Sequence, residues 1–131
     1  MPQAKGNFKV DLKPQAPSYG DGDVKLARLT IDKQFSGDLE GSSYGEMLSA
    51  RTAVKDSAGY VAIEKVTGTL QGRKGSFVLQ HSSTMTRGKA QQSITVVPDS
   101  GTGDLEGLSG SLTIIIENGQ HFYDFNYCFE E

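Results

Sequence analysis

Apolar and polar residues alternate with a period of two along most of this chain. No window carries apolar residues at the i, i+3, i+4, i+7 spacing that marks one face of a helix. "YVAIEKVTGTL", "SFVLQHSSTM", "QSITVVP", "GSLTIII" and "HFYDFNYCF" are rich in β-branched and aromatic residues and bounded by Gly, Pro, Asn or Asp. Such segments make strands with one buried face. Eight strands are predicted, near 6–12, 24–36, 44–54, 59–70, 75–85, 90–98, 104–116 and 121–129. "PQAPSYGDGD", residues 14–23, reads as the one long loop, its prolines and glycines breaking ladder pairing. The other connections are short, so successive strands form antiparallel hairpins. With no helix to cover a face, eight strands in a meander close most simply into an up-and-down barrel. A two-sheet sandwich is the alternative. At 131 residues the chain is read as a single all-β domain over 1–131.

Charge narrows the partners. Thirteen Lys and Arg against sixteen Asp and Glu give a net charge of −3, and no basic tract exists to capture a nucleic acid backbone. Apolar runs as short as Ile114–Ile116 fall far below the ~20 residues of a membrane-spanning helix. The opening "MPQAKGNFKVDLKP" lacks the apolar core of a secretory signal. The single cysteine, Cys128, closes no intrachain disulfide and stands without a second ligand at metal spacing. The expectation is a cytoplasmic protein with no nucleic acid or membrane partner.

Two turns say which side chains share a face. Asn118-Gly119 is the signature of a type I′ hairpin, whose central residues both need positive φ. It pairs Glu117 with Gln120, Ile116 with His121, Ile114 with Tyr123 and Leu112 with Phe125. Period two then puts Leu112, Ile114, Ile116, His121, Tyr123, Phe125, Tyr127 and Phe129 on the core face. A second turn is read at Arg73-Lys74, flanked by Gly72 and Gly75, so that Leu70 opposes Phe77, Val66 opposes His81 and Glu64 opposes Ser83. Glu64 and His81 become diagonal cross-strand neighbours on an apolar face. If Val54 pairs with Tyr60 across "KDSAG", Glu46, Leu48 and Ala50 join that face.

Gly-x-Leu-x-Gly is written three times, from Gly37, Gly68 and Gly103. A phosphate-binding loop would lead into a helix with a lysine after its last glycine. Here the following residues are "SSYGEML", "RKGSF" and "LSGSL", all strand-like. The glycines therefore read as bends at barrel corners, where a side chain would strike the curving neighbour.

The strings "KQFSGDLEGSSYGEML", "GYVAIEKVTGTLQGRKGSFVLQHSSTMTRG", "VVPDSGTGDLEGLSGSL" and "GQHFYDFNY" carry a resemblance. Over residues 5–129 the chain resembles a bacterial family of unknown function with the allene oxide cyclase-like barrel fold. The resemblance implies an eight-stranded antiparallel barrel and no established activity. Plant allene oxide cyclases bind and cyclise an apolar fatty-acid epoxide in their barrel, but none of their catalytic residues matches a position here. The likeness is of fold alone.

The core face nonetheless concentrates polar groups: Glu46, Glu64, His81, His121, Tyr123 and Tyr127 among Leu, Ile and Phe. A few polar groups converging in an apolar cavity mark a small-molecule site. A buried Glu64 must be paired or neutral, and His81 is its nearest partner. The leading expectation is a small apolar ligand held in the barrel interior and oriented by these six residues. The alternatives are a cyclase- or isomerase-type enzyme with Glu64 and His81 as acid–base groups, and a filled scaffold barrel without ligand. The two histidines with a carboxylate would suit Zn or Fe, yet no ligand spacing supports a metal, and no cofactor is expected. Cys128 falls on the face opposite the histidines, so covalent catalysis is not expected. Ile63, Ile115 and Phe122 on the outer face point to a homo-oligomer.

Overall fold

The computed structural model describes residues 2–19 and 24–130. Eight strands follow one another: β1 (Gln3–Tyr19), β2 (Lys25–Gly37), β3 (Leu39–Arg51), β4 (Ala58–Leu70), β5 (Arg73–Thr86), β6 (Lys89–Val96), β7 (Leu108–Glu117) and β8 (Gln120–Phe129). Each pairs antiparallel with the next, and β1 pairs with β8, closing the barrel in sequence order. The sandwich alternative is thereby excluded. Among the described residues no helix is long and apolar enough to cross a membrane.

β1 runs on through Tyr19, so residues 14–19 of the predicted loop are strand, with an irregularity between Gln15 and Tyr19. Beyond Phe8, β1 pairs with β2 alone. Proline is tolerated on such an edge because it lacks only a donor that the missing neighbour would have used. Residues 20–23 lie outside the described residues. Ahead of β7 the predicted strand start is a 3₁₀ turn, Gly103–Leu105.

Register decides which residues meet. The Asn118-Gly119 hairpin pairs Ile116 with His121 and Leu112 with Phe125 as read, with φ of 51° and 76° at the turn. The β4–β5 turn sits instead at Gln71-Gly72, where φ is 45° and 87°, and Leu70 faces Arg73. A type I′ turn wants glycine at a central position, which Arg73-Lys74 does not provide. Relative to the expected pairing, β5 slides four residues. An even slide leaves every side chain on its original face. Glu64 now opposes Leu79 and Ala62 opposes His81, so the Glu64–His81 diagonal survives.

The β3–β4 connection does the reverse. It spans 52–57, an even number of residues where the sequence reading had five, and Arg51 pairs with Ala58. An odd slip flips the whole strand. Glu46, Leu48 and Ala50 therefore leave the core face, and Ser43, Gly45 and Met47 take it. Glu46 is exposed and forms an ion pair with Arg28 on the barrel's outside.

The interior is filled towards the end that carries the β2–β3 turn, the β4–β5 turn and the chain termini. Phe35, Leu39, Val66, Leu70, Phe77, Leu105, Leu108, Phe125 and Tyr127 belong to one buried cluster there. The three Gly-x-Leu-x-Gly stretches each put a fully buried leucine into this closed end: Leu39, Leu70 and Leu105. The first two copies form hairpin ends and the third the 3₁₀ turn, so the glycines do not mark three equivalent bends. Gly41 faces Gly68, which faces Gly75, in one row across β3, β4 and β5. A Cβ at Gly68 would stand 2.8 Å from Gly41 Cα and overlap the Glu40 carbonyl oxygen. Gly68→Ala is expected to lower stability by about 1–3 kcal/mol in urea denaturation, because a backbone atom rather than a pliable side chain must move. A loss within about 0.5 kcal/mol would show that the row is not closely packed.

Candidate functional site

Above the filled half, three charged or titratable side chains meet inside the barrel. β2 alternates Ile31, Lys33 and Phe35 on its inner face, so Lys33 enters the interior among apolar neighbours. β4 brings Glu64, β5 His81 and β3 Ser43. Glu64 is 0% exposed, and Lys33, His81 and Ser43 are buried around it. Lys33 Nζ donates to Glu64 Oε1 at 2.9 Å, His81 Nε2 donates to the same oxygen at 2.7 Å, and Ser43 Oγ donates to Oε2 at 2.6 Å. Lys33 Nζ also lies 4.9 Å from the centre of the Phe8 ring, a cation–π contact.

Burial alone would push the Glu64 carboxyl up. The His81 hydrogen bond, the Lys33 ammonium and Ser43 outweigh it and hold the pKa at about 2. Glu64 is thus a carboxylate at neutral pH, an acceptor only. His81 Nε2 must therefore carry the proton it donates, which leaves Nδ1 as the ring nitrogen that Glu64 does not engage. Glu64 orients the imidazole and compensates Lys33. As a carboxylate it has no proton to give, and so low a pKa makes it a weak base.

The other end of the barrel is open. Leu12, Met85 and Ile116 face inward by strand parity, yet are 43%, 41% and 64% exposed. Val10, Tyr60, Ile114 and His121, also inward-facing, are half-buried. The walls end unevenly at this mouth. β8 pairs with β1 only as far as Phe8–His121, and β6 meets β7 in a single ladder pair, Thr95–Ser111. Beyond that pair the Gln92 amide takes the ladder's place, accepting from Ile114 N at 2.8 Å and donating to Ile114 O at 3.3 Å. One polar atom in this region is buried without a hydrogen-bond partner among the described residues, Ser83 Oγ. Ser83 follows His81 on the inner face of β5, one step nearer the mouth, and lies opposite Tyr60.

Of the six residues read from the sequence, the structure brings together Glu64 and His81. His121 sits nearby against Phe8, with ring centres 5.2 Å apart. Tyr123 and Tyr127 point away from the mouth and spend their hydroxyls on the protein. Tyr123 Oη accepts from Leu39 N at 2.8 Å and faces the carbonyls of Ser36 at 2.9 Å and Leu39 at 3.1 Å. Tyr127 donates to Gln71. Burial pushes both phenols up, so both stay protonated. Glu46 is outside, as described above. Sequence reasoning missed Lys33, Ser43 and Ser83. Lys33 left a signal in "TIDKQF", where it shares parity with Ile31 and Phe35.

Tyr123→Phe is expected to cost about 1–3 kcal/mol, because the buried Leu39 N–H loses its acceptor. Any ligand bound in the mouth should keep its affinity in this variant. An affinity loss in titration calorimetry would return Tyr123 to the site.

On the outer surface, Ile63 lies in an open groove of about 1230 Å³ over β2–β5 with Tyr44, Leu48 and Val61. Ile115 and Phe122 line a smaller one of about 340 Å³ beside Lys5 and Asp124. Cys128 faces outward, its Sγ 3.2 Å from Ser109 Oγ.

The chain is similar to a protein with unknown function from the DUF3224 family of Shewanella oneidensis MR-1, whose crystal structure is 56% identical in sequence. The match covers 100% of this chain and 98% of that one, with a TM-score of 0.97. No curated protein matches the chain. Neither finding bears on the allene oxide cyclase-like label. Residues 4–127 match the family model described as a protein of unknown function, and the chain belongs to the DUF3224 family.

Proposed function

We propose that this protein binds a small, largely apolar ligand in the open half of its barrel. The observation that carries this reading is the solvent exposure of inward-facing Leu12, Met85 and Ile116 above a buried Lys33–Glu64–His81 floor. Apolar walls over a few convergent polar groups are the usual make-up of a small-molecule site. Glu64, His81 and His121 stay in the proposed site, Lys33, Ser43 and Ser83 join it, and Glu46, Tyr123 and Tyr127 leave it. The single cysteine suits a reducing, cytosolic setting. Association of copies through the outer groove at Ile63 or that at Ile115 and Phe122 belongs to the same proposal, and a monomer in sedimentation would remove it.

An enzymatic reading is favoured by one geometric fact, the carboxylate-oriented imidazole. It moves the acid–base role from Glu64, whose oxygens are taken by Lys33, His81 and Ser43, to His81, whose Nδ1 Glu64 does not engage. Binding and catalysis separate in His81→Gln: a binding protein loses only the affinity of the contact with His81, whereas an enzyme also loses turnover at saturating substrate.

Native mass spectrometry of the purified protein, followed by solvent extraction, tests the binding reading. The expected result is one small apolar compound per chain, with retention reduced in Ile116→Asp. A bare polypeptide mass, together with no thermal stabilisation by any added apolar probe, would favour the filled scaffold instead.

A further inference from the structure

Resting on the reading of the mouth as a ligand site, we infer that the ligand carries an uncharged hydroxyl group, placed between His81 Nδ1 and Ser83 Oγ. The first argument is charge. Lys33 Nζ and Glu64 Oε1, 2.9 Å apart, cancel each other within the barrel. The ammonium is also held against the Phe8 ring. The permanent cation of the floor, the Lys33 ammonium, is thus already matched by Glu64 and is not left for an ionised ligand to neutralise. An added carboxylate would lie uncompensated among Tyr60, Ile31 and the apolar wall, at the full desolvation cost of a buried charge.

The second argument is hydrogen-bond direction. His81 donates through Nε2 to Glu64, so Nδ1 is the ring nitrogen left for a ligand. A hydroxyl can meet Nδ1 and the Ser83 hydroxyl together because it both donates and accepts, which an ether, ester, ketone or carboxylate cannot do. Ser83 Oγ supplies the third constraint. It is a buried hydroxyl without a partner, on the same face of β5 as His81 and closer to the mouth. A buried polar atom left unpaired is costly, and such an atom beside an open mouth is satisfied when a ligand arrives. A ligand hydroxyl gives its proton to Nδ1 and receives one from Ser83, satisfying all three groups at once. The class is therefore an apolar alcohol or phenol, with its hydrocarbon body against Leu12, Met85, Ile114 and Ile116.

The test uses the full chain and three probes with the same tail: octanol, octanoate and octyl methyl ether. Binding is read by titration calorimetry and by Tm at neutral pH, for the natural protein and for Ser83→Ala. Octanol should bind about tenfold more tightly than either of the others, as the loss of one well-placed hydrogen bond implies. Ser83→Ala should raise the Tm of the ligand-free protein, since it removes an unpaired buried hydroxyl, and should weaken octanol about tenfold while leaving the ether unchanged. That opposite movement of stability and affinity is not expected of a residue that merely packs. If octanoate or the ether binds as tightly as octanol, the mouth is still a ligand site and the hydroxyl inference fails. If none of the three binds, the ligand-site reading fails with it.

Discussion

Glu64→Ala lowers the stability of the barrel by about 3–5 kcal/mol, the penalty for breaking a buried ion pair by removing one partner. The variant strands the Lys33 ammonium and the His81 Nε2–H, both buried and both bonded to the same oxygen. The loss comes from what is left unpaired rather than from the attraction itself. Accordingly, Glu64→Leu combined with Lys33→Met and His81→Leu should recover most of it, because apolar groups of similar volume need no partner. Urea denaturation of the single and triple variants checks this. A triple variant no more stable than Glu64→Ala would mean that the cluster contributes through its shape.

The same cluster sets an acid limit. Glu64 has a folded-state pKa of about 2 against an ordinary 4.5. A depressed carboxyl stabilises the fold above its unfolded value and ceases to do so as pH falls through its folded value. About 3 kcal/mol is therefore present above pH ~4.5 and lost on the way down to pH ~2. Other carboxylates titrate in the same range, so the informative quantity is the difference from Glu64→Gln, whose stability should fall less steeply over that window. Parallel curves for the two proteins would place the acid sensitivity elsewhere.

Leu105→Ala is expected to cost about 2–5 kcal/mol, as much as Leu39→Ala or Leu70→Ala, although Leu105 lies on a 3₁₀ turn between strands. A connecting residue normally tolerates truncation because its side chain faces water. Here the connection is drawn onto β5. Thr102 N donates to Ser76 O at 2.8 Å, the Ser76 and Thr102 hydroxyls lie 2.6 Å apart, and Ser100 Oγ accepts from Val78 N at 3.0 Å. Those bonds hold Leu105 over Gly75, where a Cβ would meet Leu105 Cβ at 3.4 Å. The leucine completes the closed end with Leu39 and Leu70, which face each other directly across β3 and β4. A cost below about 1 kcal/mol, within the range of an ordinary surface substitution, would mean that the closed end collapses around the gap.

How far the site could be read depended on turn chemistry and loop length. Asn118-Gly119 is a local code, so its hairpin was legible to the residue and placed His121, Tyr123 and Tyr127 on the inner face. The Gln71-Gly72 turn was misplaced, but by an even displacement, so Glu64 and His81 stayed neighbours. The 52–57 connection differs from its expected length by one residue, which exchanged Glu46 for Ser43 in the interior. Lys33 shares the inner parity of β2 with Ile31 and Phe35, but lysine is rarely buried without a partner, so alternation alone does not place it inside. That partner, Glu64, comes from a strand 31 residues away in sequence.

The sequence by itself determined that the chain is all-β, that neighbouring strands pair in order, and that most strands bury a known face. Those properties follow from period-two alternation and turn residues, which act over a few positions and need no knowledge of the rest of the chain. Tertiary structure alone decided that one end of the barrel is plugged by three leucines, that the other stays open, and that Lys33 and Ser43 join His81 on one carboxylate. Each of these depends on register summed around a closed ring of strands, where one extra residue in a loop turns a strand inside out.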